Sequence, residues 1–300
     1  MPVEEPEEPL TRPTVLVLTM ARDEGPLLRR WVDHYARHVG LESLLVLDDN
    51  SADGSTDDLG CTVFRLPPLP GRAGFEDARM TLVSGFARGM LATYDWVVFV
   101  DVDELLVPDP TRYADLPDLL MHRRDRPIVG AVGLNVLQLP QAEGPLDPAR
   151  PVLEQRSYAV FAPLMCKPVA KRVGAPWRFS SHGIARPYRV DPDLYLLHLK
   201  FADVDTLRRI AGARHAAHQH DGRAAKSSWS KPADELVAAV ERAAARVDPA
   251  AVAEFDVARA DLEGAVFEED GVHRTTRQGQ LAALRENRVM RIPALLKGAV

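Results

Sequence analysis

Two aspartates close an apolar run in DWVVFVDVDELL: Asp101 and Asp103 follow Trp96 to Val100, with Glu104 beside them. Side chains alternate along a strand, so residues i and i+2 share a side and both carboxylates can reach one point. Oxygen ligands of this kind suit Mg²⁺ or Mn²⁺, which bind through one or two carboxylates plus substrate phosphates. With no lysine nearby in sequence, such a pair is costly unless a cation joins it. Asp203 and Asp205 repeat the spacing but open the helix-like TLRRIAGAR, so Asp203 is expected to cap a helix. Asp49, Ser51, Asp53 and Gly54 begin like a calcium loop. Its twelfth position is Gly60, where a bidentate glutamate is required, and calcium is excluded.

The histidines sort by context. His34 and His38 lie four apart on a helix with nothing to complete a metal site, and are expected to be surface or partly buried residues. His215, His218 and His220 lack a cysteine that would complete a zinc pattern, and they read as a solvated helix end. His198 ends the apolar strand YLLHLKF. His182 stands in a polar turn after Trp177 and can face an acceptor. Where a substrate hydroxyl must lose its proton a general base is needed, for which His182, Asp191 and Asp193 are the candidates.

These groups need a scaffold. TVLVLTM, SLLVLD and CTVFRL read as short strands, the first two buried on both faces, and DWVVFVDVDE as a fourth ending in acids. Helices are expected from Glu24 to Val39, stopped by Gly40, and from Phe75 to Thr93. That order predicts an α/β fold with a Rossmann-like, mostly parallel sheet, whose ligands bind at strand carboxyl ends. Thr19, Asp48 and Asp101 mark those ends. IVGAVGLNVLQL, SYAVFAPLMC, GIARPYRV and LYLLHLKF predict a mixed extension, and the chain from Val204 reads as helix. The expected division is a disordered lead-in over 1–13, a ligand-binding half over 14–110, a second half of the same domain over 111–202, and a helical C-terminal region over 203–300.

Composition narrows the classes. A net charge of −6 argues against binding of nucleic acid through its phosphates, and 6% aromatic residues argue against single-strand stacking platforms. No apolar run reaches the ~18 residues that span a bilayer. The acidic, proline-rich start does not resemble a signal peptide, and two cysteines make no disulfide framework. A cytoplasmic enzyme or binding protein is expected. The closing VMRIPALLKGAV, apolar with two cations, is expected to pack in the core or to fray, with contact at a membrane face or a partner as the alternative.

With the strands placed, Val15 to about Pro108 resembles the nucleotide-binding half of family 2 glycosyltransferases with the GT-A fold. It is closest to a subgroup whose first strand ends in a Lys-Asn-Glu-like motif and whose fourth ends in Asp-x-Asp-Glu-Phe. Here these read Arg22-Asp23-Glu24 and Asp101-Val102-Asp103-Glu104-Leu105, and VLDDNSADGSTD is similar to the family's Asp-Asp-x-Ser-x-Asp-Gly-Thr turn. A weaker downstream likeness comprises Lys167 to Arg172, a Ser-His-Gly and the strand ending in His198. The resemblance implies that Thr19 and Asp49 contact the base and ribose of a nucleotide diphosphate sugar, with Arg22 and Glu24 in the first motif. It implies Asp101 near ribose and metal, Asp103 as direct metal ligand, and His198 as a further ligand. Arg79 sits where the family carries a polar residue facing the nucleotide, and its fork suits a diphosphate, as does that of Arg72. The implied activity is hexosyl transfer, dependent on Mn²⁺ or Mg²⁺, to a glycan, lipid-linked or polymeric acceptor.

Two other classes compete. A haloacid dehalogenase-like phosphatase also places Asp-x-Asp after an apolar strand, with the first aspartate as nucleophile. Leu105, where threonine or valine is usual, and the α/β unit preceding the motif count against it. A non-catalytic sugar-nucleotide binder would keep the donor site and lack the base.

Overall fold

The computed structural model describes residues 11–68, 74–222, 230–276 and 278–300. Residues 1–10 of the expected lead-in, and Arg72, lie outside the described residues.

The first strand, β1 (Val15–Ala21), is buried at all seven positions. Val15, Val17 and Ala21 join the cluster of Trp31 and Tyr35 from α1 (Pro26–Val39), while Leu16, Leu18 and Met20 join Met80, Val83 and Ala87 from α2 (Phe75–Met90). Alternation along one strand thus covers both faces of the sheet, which is why the run is apolar throughout. Gly25, at φ 56, leads into α1, and Gly40, at φ 80, ends it. Then come β2 (Leu44–Asp48) and the exposed edge β3 (Thr62–Arg65), followed after α2 by β4 (Trp96–Phe99). The strands run β4-β1-β2-β3, all parallel.

The acids do not extend β4. The chain turns after Phe99, with the Glu104 amide bonded to the Asp101 carbonyl at 3.0 Å, and enters β5 (Glu104–Pro108). The expected single strand DWVVFVDVDE is therefore a strand and a turn feeding a second strand. The helix α3 (Leu116–Met121) leads to β6 (Ile128–Leu137), β7 (Tyr158–Phe161), β8 (Pro168–Lys171), β9 (Trp177–Arg178), β10 (Gly183–Ile184) and the long β11 (Arg189–Phe201). β11 pairs antiparallel with β5 and parallel with β6, setting His198 opposite both Glu104 and Asn135. β8 joins this mixed part to β4. The expected fold class holds: a parallel half with a mixed extension.

The C-terminal region begins as helix, with α4 (Val204–Asp221) and α5 (Ala233–Ala244). As expected, Asp203 caps α4, its carboxylate accepting from the Thr206 amide at 2.8 Å. Strands then follow, within a region expected to be mostly helix. β12 (Val266–Glu269) and β13 (Val272–Thr275) form a hairpin over Asp270-Gly271, both at positive φ, and join β9 and β10 in a second sheet. Asp-Gly between two short runs is the strongest local hairpin signal, and it was present in the sequence. After α6 (Gln280–Glu286), β14 (Val289–Arg291) adds to the edge of β7. Leu296 and Val300 are buried in the core, as expected for the closing segment. Among the described residues no helix is long and apolar enough to cross a membrane.

One core lysine gives a pH test. The fully buried Lys171 donates to the Ala175 carbonyl at 2.7 Å and lies 3.6 Å above the Trp177 ring. Burial lowers its pKa to about 7. The unfolded chain therefore holds more protons between that value and the ordinary lysine range, and folding stability rises with pH across that window. Lys171→Met is expected to stabilise the fold by about 1 kcal/mol below pH 7 and to remove that slope. Urea denaturation at several pH values checks it; an unchanged slope would contradict the assignment to Lys171.

Candidate active site

The carboxyl ends of β1, β2 and β4 open on one cleft of about 340 Å³, walled on its far side by α4. The turn after β1 supplies Arg22, Asp23 and Glu24; the end of β2 supplies Asp49; the β4–β5 turn supplies Asp101 to Glu104. His198 and Lys200 enter from β11, Glu76 and Arg79 from α2, Ser180 and His182 from the β9–β10 turn, and Arg209 and Arg214 from α4.

The first two motifs lock together. Asp23, at φ 54, accepts from the amides of Ala52 at 2.7 Å and Asp53 at 3.2 Å, and its own amide donates to Ser51 Oγ. The Asp48 carboxylate accepts from the Ser51 amide at 2.7 Å. Arg22 reaches Asp49 at 3.5 Å. Glu24 pairs with Arg214 at 2.9 Å across the cleft; burial nevertheless pushes its carboxyl up, and Arg214 offsets this only in part.

The third motif is organised by protein cations that nothing in the sequence placed against it. Asp101 Oδ1 accepts from Arg79 at 3.0 Å, and its Oδ2 lies 3.7 Å from the Lys167 ammonium. Burial would raise the Asp101 carboxyl, but Arg79 and Lys167 outweigh it and hold the pKa at about 2. Glu104 pairs with Lys167 at 2.7 Å and accepts from the Asp101 amide at 2.8 Å. The expectation of an acidic pair with no lysine nearby is thus corrected. Lys167 is distant in sequence and fully buried beneath the turn.

Asp103 is arranged differently. Its Oδ2 lies 3.4 Å from His198 Nε2, while His198 Nδ1 meets Asn135 Oδ1 at 2.7 Å. With Nδ1 at Asn135, Nε2 faces the carboxylate, where it either donates a proton to Oδ2 or shares a cation with it. Two electron-rich atoms at that separation repel unless a proton or metal ion lies between them. Ligands about 2.1 Å from one small cation, at right angles, stand about 3 Å apart. Burial works to raise the Asp103 carboxyl, yet His198, Arg214 and Lys200 hold it well below the usual range. Asp103, Glu104 and His198 offer ligand atoms within 4.8 Å of one another. Asp101, expected to be a metal ligand, is outside this set because its oxygens face Arg79 and Lys167.

Two further expectations are corrected. Thr19 is fully buried in β1, opposite Val46, and does not line the cleft. The strand runs on to Ala21, so the floor of the cleft begins at Met20. Asp191 lies toward the other end of β11, opposite Ala131 while His198 is opposite Asn135, about 13 Å away along β6. There, with Asp193, it forms an ion network whose carboxylates are buried, with Arg123 and Arg126 at its own carboxylate and Arg112 at Asp193. Neither aspartate reaches the cleft. His182 does: Nδ1 meets the Leu164 carbonyl at 2.8 Å, which leaves Nε2 as the ring's second nitrogen. Burial, reinforced by Lys167, lowers its pKa to about 3, so the ring is neutral at neutral pH.

No protein-family model and no curated protein matches the chain. Among solved structures, a mycobacterial protein is 25% identical over 43% of this chain and 44% of its own, with a TM-score of 0.29. Glucosyl-3-phosphoglycerate synthase from Mycobacterium tuberculosis, in complex with Mn²⁺, UDP and glucosyl-3-phosphoglycerate, is 23% identical over 40% of this chain and 44% of its own, with a TM-score of 0.27. Another structure of that synthase is 24% identical over 40% and 45%, at a TM-score of 0.29. The matched part spans less than half of each of these chains.

Proposed function

We propose that this chain is a metal-dependent glycosyltransferase of the family 2-like, GT-A type. It moves a hexose from a nucleotide diphosphate sugar to a glycan or lipid-linked acceptor. The observation that carries this reading is the facing of Asp103 Oδ2 and His198 Nε2 at 3.4 Å, at the mouth of a cleft built from strand carboxyl ends. Asp103 and His198 would hold Mn²⁺ or Mg²⁺, with Glu104 as the nearest further oxygen. Such a cation, when bound, supplies positive charge against the charge that develops on a leaving diphosphate.

The chain's own groups do the rest. Arg79, paired with Asp101, presents a planar fork suited to phosphate oxygens. Arg22 and Asp49 border the part of the cleft that suits ribose and base. His182 Nε2 takes the acceptor hydroxyl proton as the oxygen attacks the anomeric carbon and the sugar–phosphate bond breaks. Residues 14–110 then form the donor half and 111–202 the acceptor half. A phosphatase of the dehalogenase type fits less well, because Asp101, its required nucleophile, has both oxygens facing protein cations.

A melting-temperature panel tests the reading, since a ligand that binds only the native state raises the midpoint. One nucleotide diphosphate sugar should raise it in the presence of Mn²⁺ and leave it unmoved with EDTA. A panel without any metal-dependent shift would contradict the proposal.

A further inference from the structure

Lys167 sits where two parts of the cleft meet. Its ammonium, fully buried, lies 2.7 Å from Glu104 and 3.7 Å from Asp101 on one side, and donates to Ser181 Oγ at 2.8 Å on the other. The Ser181 side belongs to an unusual turn. Phe179, Ser180 and Ser181 all have positive φ, at 52°, 53° and 72°. For residues with a Cβ this costs of order 1 kcal/mol each, and such strain persists only where the surroundings impose it.

Those surroundings are on hand. Besides Lys167 below, Ser180 Oγ donates to Glu76 at 3.0 Å, and Glu76 also holds Arg79 at 3.3 Å. The Arg274 guanidinium stacks 3.9 Å from the Phe179 ring. The next residue is His182, whose amide donates to the Phe179 carbonyl at 3.0 Å and whose carbonyl accepts from Thr275 at 2.9 Å. A cation that only neutralised buried Glu104 would need no contact with Ser181. The contact joins the acids of the β4–β5 turn to the strained turn that carries His182.

We infer that Lys167 is a positioning residue, which fixes the turn bearing His182 at a set distance from Asp101 and Glu104. The donor-side acids and the acceptor-side ring are then held as one rigid unit. The functional consequence rests on the glycosyltransferase reading; the mechanical link does not.

The Ser181 hydroxyl is the place to cut the link, because the Lys167–Glu104 pair stays intact. Ser181→Ala removes the hydroxyl and keeps the strain; Ser181→Gly removes both. Two readouts are taken on each variant. Long-range nitrogen NMR of the His182 ring in the free protein reports its tautomer. Hydrolysis of UDP-glucose with Mn²⁺ and no acceptor, where water takes the acceptor's place, reports function. In the wild type Nδ1 of His182 is expected to carry the proton. In both variants the two nitrogens should average, with kcat for hydrolysis falling about 10- to 100-fold and KM unchanged. Wild-type NMR patterns in both variants would overturn the inference, as would an unchanged kcat. If the wild type neither binds nor hydrolyses UDP-glucose, the donor choice in the functional reading fails, and the NMR result alone decides the role of Lys167.

Discussion

Asp103→Asn is expected to lower Mn²⁺-dependent hydrolysis of the donor sugar by about 10³-fold, the largest effect of any single substitution in the cleft. The carboxylate faces His198 Nε2 at 3.4 Å, and its charge is held on by His198, Arg214 and Lys200 against the cost of burial. An amide of nearly the same shape keeps the packing but gives a divalent ion a neutral ligand. The same variant should lose the rise in melting temperature that Mn²⁺ gives the wild type. Steady-state hydrolysis and a metal titration followed by melting check both. Asp101→Asn is a useful contrast, because Arg79 and Lys167 already occupy that carboxylate. It should weaken donor binding more than metal binding. Equal loss of metal binding in the two variants would mean that both aspartates hold the ion.

The second large effect concerns stability. Asp191 is fully buried against Arg123 and Arg126, and Asp193 beside it holds Arg112 and Arg123. Asp191→Asn leaves the Arg123 and Arg126 guanidinium groups short of a counter-charge, at a cost of about 3 kcal/mol. The urea midpoint should fall accordingly, while donor hydrolysis per folded molecule stays at the wild-type level. Lost hydrolysis with unchanged stability would return Asp191 to the chemistry.

What the sequence made legible follows from locality. Buried strands such as Val15–Ala21 announce themselves because both faces are covered, and the acids after Val100 are conspicuous against that apolar run. Asp203 was readable as a cap because capping needs only the next three residues. The ends of elements were less clear. Taking DWVVFVDVDE as one strand hid the turn at Asp101 to Asp103, and placing the end of β1 at Thr19 put that residue in the cleft when it lies beneath the floor. The partners of the acids were not legible at all. Lys167 follows Asp101 by 66 positions and Arg214 follows Glu24 by 190, and only the folding of the sheet brings them together. A lysine within the otherwise apolar stretch around Cys166 was the available signal, since a buried ammonium requires an anion. Asp191 misled for the converse reason: a carboxylate near a strand looks alike whether the strand carries it toward the cleft or away.

The central claim is that one divalent ion joins Asp103 and His198 to the diphosphate of a nucleotide sugar. Pulsed electron paramagnetic resonance of Mn²⁺ bound with UDP addresses it directly. The expected spectrum carries a directly coordinated nitrogen coupling that His198→Gln removes, together with phosphorus couplings from the same ion. Mn²⁺ that binds without the nitrogen coupling, or without phosphorus when UDP is present, would contradict the account.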